Sequence, residues 1–472
     1  MSTPGSLSPP HPDQGDVAQR QAATEHNTNG SLPGPDAPLP EPSATAATIR
    51  SSESRNVFVL ALHQIAIRIG WVFKTETIVM PAFLDAVGGA GWMRGMLPVL
   101  NRLGQSVPPT LFAPRLRAMR RKKWGLVTCT LLTSLPFFVL MAACLLTDYR
   151  QQAFMAPLFL TMYGVFFALH GLNVLSFDTV QGKLVRAVRR GRLLLLSAGV
   201  GSIPAVLGAW WLLGGWLARP DGGFGFIFGY VACLFATASL VALWVREPAD
   251  GDTAPRASFA HHFSGNWQLL RHDRNFRRLA AASMMYATVM LLFPHYQALG
   301  RVRFGLDGTH LMVWVVAQNI TVGLASFAAG TLSDRWGPRL VLRLLFFAGA
   351  AAPLYALTLA WLQPEQAGNW FWLVFVGLAL TPVTQRAIVL YTLEISPQEE
   401  HSRCLSLLSL CALLPILLAP LVGLCVDWFG FEIVLLSGAA VIAASGIMTF
   451  TLAEPRHARL HAPPPLDADA SL

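Results

Sequence analysis

The sequence predicts an all-α polytopic membrane protein, with twelve transmembrane helices arranged as two six-helix repeats. Three observations carry that prediction. Of 472 residues, 53% are hydrophobic and only 13% charged, and the mean hydropathy is +0.47; soluble domains carry roughly 25% charged residues. The apolar residues fall in blocks of about 20 to 28 positions, the length a helix needs to cross ~30 Å of hydrocarbon. The blocks before and after one long polar interval, 247–278, echo each other.

Residues 1–55 are rich in Pro, Ser, Ala and Gly. They lack the apolar core of a signal peptide, so a disordered tail is expected. The twelve blocks follow: 57–84, 91–112, 124–147, 153–180, 193–217, 224–246, 279–300, 309–332, 338–362, 370–394, 404–426 and 429–452. Stretches such as "VTCTLLTSLPFFVLMAACLL" (127–146) show no ten-residue polar–apolar alternation of the kind a membrane strand needs. Pro81, Pro204, Pro294, Pro382, Pro415 and Pro420 lie inside blocks, where neighbouring helices or water can satisfy the carbonyls they free. The expected units are a bundle over 56–246, a linker over 247–278, a second bundle over 279–453 and a tail over 454–472. In the linker, Phe263, Trp267 and Leu270 recur at helical spacing among bases, which suits a short helix at the membrane surface. Its His261, His262 and His272 have no Cys or acid at ligand spacing and read as solvated.

Loops after spans 2, 4, 6, 8 and 10 hold 21 Lys and Arg; the alternate loops hold Arg150, Arg219, Arg301 and Arg303. By the positive-inside rule the first set and both termini face the cytoplasm. The net charge of +9 is therefore an orientation signal and does not point to nucleic acid. The plasma membrane is the expected location, which is the inner membrane in a bacterium. All six cysteines fall within spans without a CxxC, so they read as packing residues.

The repeat shows in three pairs: "LWVREP" (243–248) with "FTLAEP" (450–455), "PTLFAPR" (109–115) with "GTLSDR" (330–335), and "RRGRLLLL" (189–196) with "HSRCLSLL" (401–408). Two parallel six-helix repeats are a transport layout, with a solute site between halves near the midplane. Gly330-Thr331-Leu332-Ser333-Asp334-Arg335-Trp336-Gly337-Pro338-Arg339 resembles the G-x-x-x-D-R-x-G-R-R signature of the major facilitator superfamily, with Pro-Arg where the family prefers Arg-Arg. Gly337-Pro338 forces a tight turn and starts span 9, with Pro in the first helical turn. Asp334 can face the N-terminus of a helix from the other half; Arg335 and Arg339 can reach acids or lipid headgroups. The resemblance implies that Gly330, Asp334, Arg335, Gly337 and Arg339 form a cytoplasmic latch that releases during transport. After span 10, Glu394 and Arg403 resemble the family's acid-and-arginine pair. The first half departs from both patterns. "LFAPRLRAMRRKK" (111–123) keeps Arg115 without the Gly or Asp, and "QGKLVRAVRRGR" (181–192) has Lys183 at the acid's spacing. No latch acid is expected there. The resemblance covers 57–455.

An ionisable residue at mid-membrane costs about 3 kcal/mol or more and marks function or pairing. In "LHQIAIRIGWVFKTETIVMPAF" (62–83), Gln64, Arg68 and Thr75 share one helical stripe. Lys74 and Glu76, two apart, are expected on opposite sides with partners elsewhere. Span 4 offers His170 and Asn173, and span 10 offers Gln385 and Arg386; the repeat offset of about 213 sets Arg386 opposite Asn173. Helices 1, 4, 7 and 10 line the cavity in the family, so the resemblance implies a site of Arg68, His170, Asn173, Gln385 and Arg386. Span 2 adds Arg102 with Asn101 and Gln105, and span 8 adds Gln318 and Asn319; a lone Asn or Gln serves equally as an interhelical hydrogen bond. Three arginines against Glu76 favour a cargo of carboxylate or phosphate character. The expected function is secondary active transport of a small solute by a monomer, with protons carried by Glu76, His170 or Asp178. No cofactor, metal or catalytic constellation is expected. The rival readings are a transporter-shaped sensor or scaffold acting through its tails, and a multidrug efflux pump.

Overall fold

The computed structural model describes residues 44–249, 273–306, 308–362, 367–397 and 400–454. The expected surface helix around Phe263, Trp267 and Leu270 lies outside them. The chain divides into Met1–Thr48 and Ile49–Leu472. Of the first unit only residues 44–48 are described, as helix; everything below concerns the second.

Every regular element among the described residues is helical, and ten helices are long and apolar enough to cross a bilayer. The two expected spans outside that set are helical as well. Span 2 runs Gly91–Arg117 and carries Arg94, Asn101, Arg102 and Gln105, which lower its hydropathy. Span 5 covers 187–217 and is interrupted by π turns at Leu195–Val200 and Ala209–Leu213. Two expected boundaries are corrected. The first helix starts at Ala44, so residues 44–55 are not tail; Ala-rich "ATAA" at its start favours helix. Span 7 starts at Arg274, because Asp273 accepts the backbone N–H groups of Asn275 and Phe276 as an N-cap. Arg274, Arg277 and Arg278, which read as linker, therefore belong to the helix.

Four of the internal prolines interrupt their helices, each about four residues upstream. A helical proline gives no N–H to the carbonyl at i−4, and its ring crowds that carbonyl. Span 1 is Ala44–Phe73 and then Val79–Ala86, with Pro81 four residues after Thr77. The π turn ending at Val200 lies four residues before Pro204. Span 10 is Trp372–Leu378 and Thr381–Ile395, with Pro382 four after Leu378; span 11 is His401–Ile416 and Ala419–Phe429, with Pro420 four after Ile416. The continuous spans are 3 (Lys123–Leu146), 4 (Met155–Leu184), 6 (Phe224–Ala242), 8 (Thr309–Trp336), 9 (Pro338–Trp361) and 12 (Phe431–Met448).

Spans 3 and 6, spans 2 and 4, and spans 9 and 12 pack closely. Lipid tails are as apolar as leucine, so close packing and small residues hold such helices together. Gly104 of span 2 lies against the backbone of Phe167 and Ala168 in span 4, and Gly171 of span 4 lies against the Gly104 carbonyl. Between spans 3, 4 and 6, Phe137 stacks edge-on to Phe166 and Phe235, with centroids 4.9 and 5.9 Å apart.

At the end bearing the basic loops, the repeat becomes a pair of matching clasps. Asn56 exchanges two 2.9 Å hydrogen bonds with the Arg246 backbone, tying the start of span 1 to the end of span 6. Asn275, at the start of span 7, accepts from Ala453 N at 2.9 Å, and Tyr391 donates to the Ala453 carbonyl at 2.6 Å. One residue on, Glu247 accepts from Lys122 N and Lys123 N at 2.9 and 2.7 Å, and Lys183 Nζ stands 2.7 Å from the same carboxylate. A carboxylate there satisfies the open N–H groups of span 3 and its dipole. Glu454 takes the corresponding place beside Gly337 before span 9. Gly337 has φ +87°, and a Cβ would come within 2.9 Å of the Glu454 carboxylate, so only glycine suits both backbone and neighbour. The expectation that the first half has no acid here is thus corrected: the acid comes from the far end of the bundle, in the "REP" that repeats as "AEP".

Replacing Glu247 by Ala leaves Lys183 buried without its carboxylate, a loss of about 3–5 kcal/mol for a broken buried pair. The thermal unfolding midpoint of the purified protein should fall by several degrees, and adding Lys183→Met should restore part of it. An unchanged midpoint in Glu247→Ala would remove the clasp's role in stability.

Candidate functional site

At the end opposite the basic loops, the first six and last six spans meet directly. Asp85 closes span 1, and its carboxylate is held by Arg94 of span 2 at 2.5 Å and Arg301 of span 7 at 3.2 Å. Arg94 also reaches Asp427 of span 11 at 3.5 Å, and Gly91 N donates to that same carboxylate at 2.8 Å. The Asp85 and Arg94 side chains are 1% and 9% exposed, so their pair is shielded from screening by salt, while Arg301 and Asp427 at its ends reach solvent. Spans 2 and 11 touch backbone to backbone: a Cβ on Gly91, Gly95 or Gly423 would overlap a carbonyl of the facing helix. Beneath the glycines, Val99, Ala287, Leu291, Ile416 and Ala419 form an apolar seal. None of these charged residues was expected from sequence. The signal was acids and bases bordered by glycine in the loops poor in Lys and Arg.

Toward the centre, the break at 74–78 decides the geometry. Lys74 and Glu76 were expected to point apart, as residues two apart in a helix do. The chain is not helical there, and the two pair at 3.0 Å. The Lys74 side chain is fully buried, with its Nζ 3.4, 4.3 and 4.6 Å from the ring centroids of Trp71, Phe167 and Phe166. A desolvated ammonium gains about 2 kcal/mol from such ring faces. His170, half-buried, stacks behind them, 4.7 Å from Trp71. Glu76 also accepts from Asn101, which accepts in turn from Gln105. Thr77 donates to Gln318 at 2.8 Å, joining span 1 to span 8 across the two halves.

The three arginines lie around this core. Arg68 is half-buried and its Nε has no hydrogen-bond partner. Arg386, on span 10, is exposed. Arg102 is half-buried and donates to the Met290 sulfur at 3.2 Å; Gln385 approaches the same sulfur at 3.8 Å. A cavity of about 210 Å³ is lined by Arg102, Gln385 and Met290, among others, and a second of about 110 Å³ by Arg386 with Gly330 and Ser333. Gln64 is half-buried on the same helix as Arg68.

One expected residue belongs elsewhere. Asn173 is 3% exposed and accepts from Thr130 at 2.6 Å, next to His63, inside the first half; its match to Arg386 in sequence is not matched in environment. Asn319 donates to the Val315 carbonyl of its own helix. In the signature, Asp334 and Arg335 are exposed and Gly337 ends span 8. Arg339 donates to the Phe450 carbonyl at 2.8 Å, within its own half. Arg403 stands 3.5 Å from Glu400, and Glu394 is half-buried near the end of span 10.

Two membrane bundles closed against each other at one end, with a charged centre, define a transporter of small solutes. The sequence matches the Major Facilitator Superfamily over residues 86–379 and 301–469, and the chain belongs to that superfamily. The nucleoside transporter NupG shares the fold at 13% identity, with a TM-score of 0.61 over 84% of this chain and 98% of that one. A bacterial homologue of the human lysosomal transporter Spinster, inward-facing and unoccupied, is 15% identical, with a TM-score of 0.59 over 84% and 96%. A POT family transporter in complex with 5-aminolevulinic acid is 11% identical, with a TM-score of 0.60 over 84% and 96%. At these identities the likeness establishes the fold. No curated protein matches the chain.

Gly423→Val should force spans 2 and 11 apart and open the sealed end. A cysteine placed at Leu97, which is 2% exposed, should then react faster with a membrane-impermeant thiol reagent, in a background lacking the native cysteines. Equal labelling with and without Gly423→Val would show that the glycine contact is not what closes this end.

Proposed function

We propose that the protein is a secondary active transporter that moves a small organic anion by alternating access, coupled to protons. The observation that carries this reading is the set of Arg68, Arg102 and Arg386 at the centre. None of the three makes an ion pair among the described residues. Arginine keeps its proton when buried, so the site stays cationic. The nearby carboxylate, Glu76, is already engaged by Lys74 and Asn101. An anionic cargo supplies the missing charge.

Orientation follows from the 21 basic residues gathered at one end of the expected spans, which by the positive-inside rule is the cytoplasmic end. The state described is then closed outward and inward-facing, in the plasma membrane. The clasps bind each half to itself, and the charges from Asp85 to Asp427 bind the halves to each other, so rocking breaks the second set and keeps the first. Glu76 is the proton carrier of this scheme: protonation cancels its hold on Lys74 and Asn101 and loosens the break in span 1.

A thermal-shift screen of the purified protein against carboxylates, phosphates and organic cations tests the reading. Ligand at a hundredfold excess over Kd stabilises by about 2.7 kcal/mol. Carboxylates or phosphates should stabilise the wild type, and Arg68→Ala or Arg386→Ala should weaken them at least tenfold. Wild-type uptake of the cargo by both variants would falsify the anion site, and stabilisation by hydrophobic cations alone would point to drug efflux. In liposomes, Glu76→Gln should abolish uptake driven by a pH gradient; uptake that still follows the gradient would take the proton role from Glu76.

A further inference from the structure

The 210 Å³ cavity is strongly asymmetric in chemistry. Arg102 is its charged group and comes from span 2; spans 7, 10 and 11 supply the opposite walls, mainly apolar at Met290, Ile388, Leu405, Leu408 and Ala412, with Ser283, Tyr286, Thr381, Gln385 and Ser409 among them. Met290 and Ala412 also pack against the apolar seal of Val99, Leu291 and Ile416, so the cavity ends blind on the outer side. One guanidinium facing mainly apolar walls does not suit a small hydrated anion, which would leave those walls facing water. Nor does it suit an uncharged apolar solute, which would leave the guanidinium unpaired.

We propose that the cargo is an amphipathic monocarboxylate, with its head at Arg102 and an apolar body filling this cavity. The proposal rests on the anion reading above and specifies its substrate class. At roughly 30 Å³ per water-sized group in the liquid, the cavity accommodates about seven such groups, the size of a short alkyl chain or a single substituted ring. Met290, Leu408 and Ala412 set that length. Each added methylene that enters the floor should tighten binding about fourfold, until the chain exceeds the cavity.

The experiment measures affinity for sodium carboxylates from butanoate to dodecanoate, on the full-length protein in lipid nanodiscs. Affinity should rise about fourfold per carbon, peak near seven or eight carbons, and then level or fall. Ala412→Leu fills the floor and should move the optimum to a shorter chain; Leu408→Ala enlarges it and should move the optimum to a longer one. If one variant fails to fold, the other still reports the direction. An optimum that stays put in the folded variants, or carboxylates that bind equally at every length, would overturn the tail pocket while leaving the anion site standing. If no carboxylate of any length binds, the anion reading falls, and this proposal with it.

Discussion

One missing N–H organises the centre of this protein. Pro81 cannot donate to the carbonyl four residues before it, so span 1 opens at 74–78. Unwound backbone within a membrane is tolerated where it lies inside protein or lines a cavity. Here the opening lets Lys74 turn back onto Glu76 and brings Thr77 to Gln318 on the other half. The aromatic rings of span 4 then enclose the ammonium, and Asn101 of span 2 completes the carboxylate. An unbroken helix would separate these groups, and the cationic centre would lose its anchor.

The two ends of the molecule use different physics. At the basic end, hydrogen bonds donated by Asn56 and accepted by Asn275 and Glu247 tie spans of the same half together. At the opposite end, glycines allow backbones of different halves to touch, and a short series of ion pairs runs from Asp85 through Arg94 to Asp427. Hydrogen bonds of low exposure hold geometry firmly, while an ion pair between separate bodies carries a large desolvation term and a Coulomb term of opposite sign. Small changes in solvent access can tip that balance.

The fold was legible because lipid forces a crude signal: long apolar blocks, few charges, and bases sorted to one side. The superfamily signature and the "REP"/"AEP" echo were visible in the same way. The candidate site was legible only in part. Arg68, Arg102, Gln318, Gln385 and Arg386 announced themselves as polar residues out of place. Lys74 and Glu76 did not announce their pairing, because periodicity assumes a helix and the proline cancels it. Glu247 acts on Lys122 and Lys123 from more than a hundred positions away, and no local pattern links them. Asn173 shows the converse error: correspondence in the repeat gave it a site, whereas Thr130 had already claimed its side chain.

The clasps have a consequence for synthesis. Asn56 and Glu53 emerge from the ribosome early, yet Glu53 is bound by Arg186, and Asn56 by the backbone of Arg246. The first helix therefore enters the bilayer with a buried-type carboxylate and amide whose partners have not yet been made. Glu53 waits for the segment after span 4 and Asn56 for the end of span 6; until then lipid headgroups and water at the interface must hold them. The order of translation thus leaves the first span provisional, and the residues just after the sixth are what fix it.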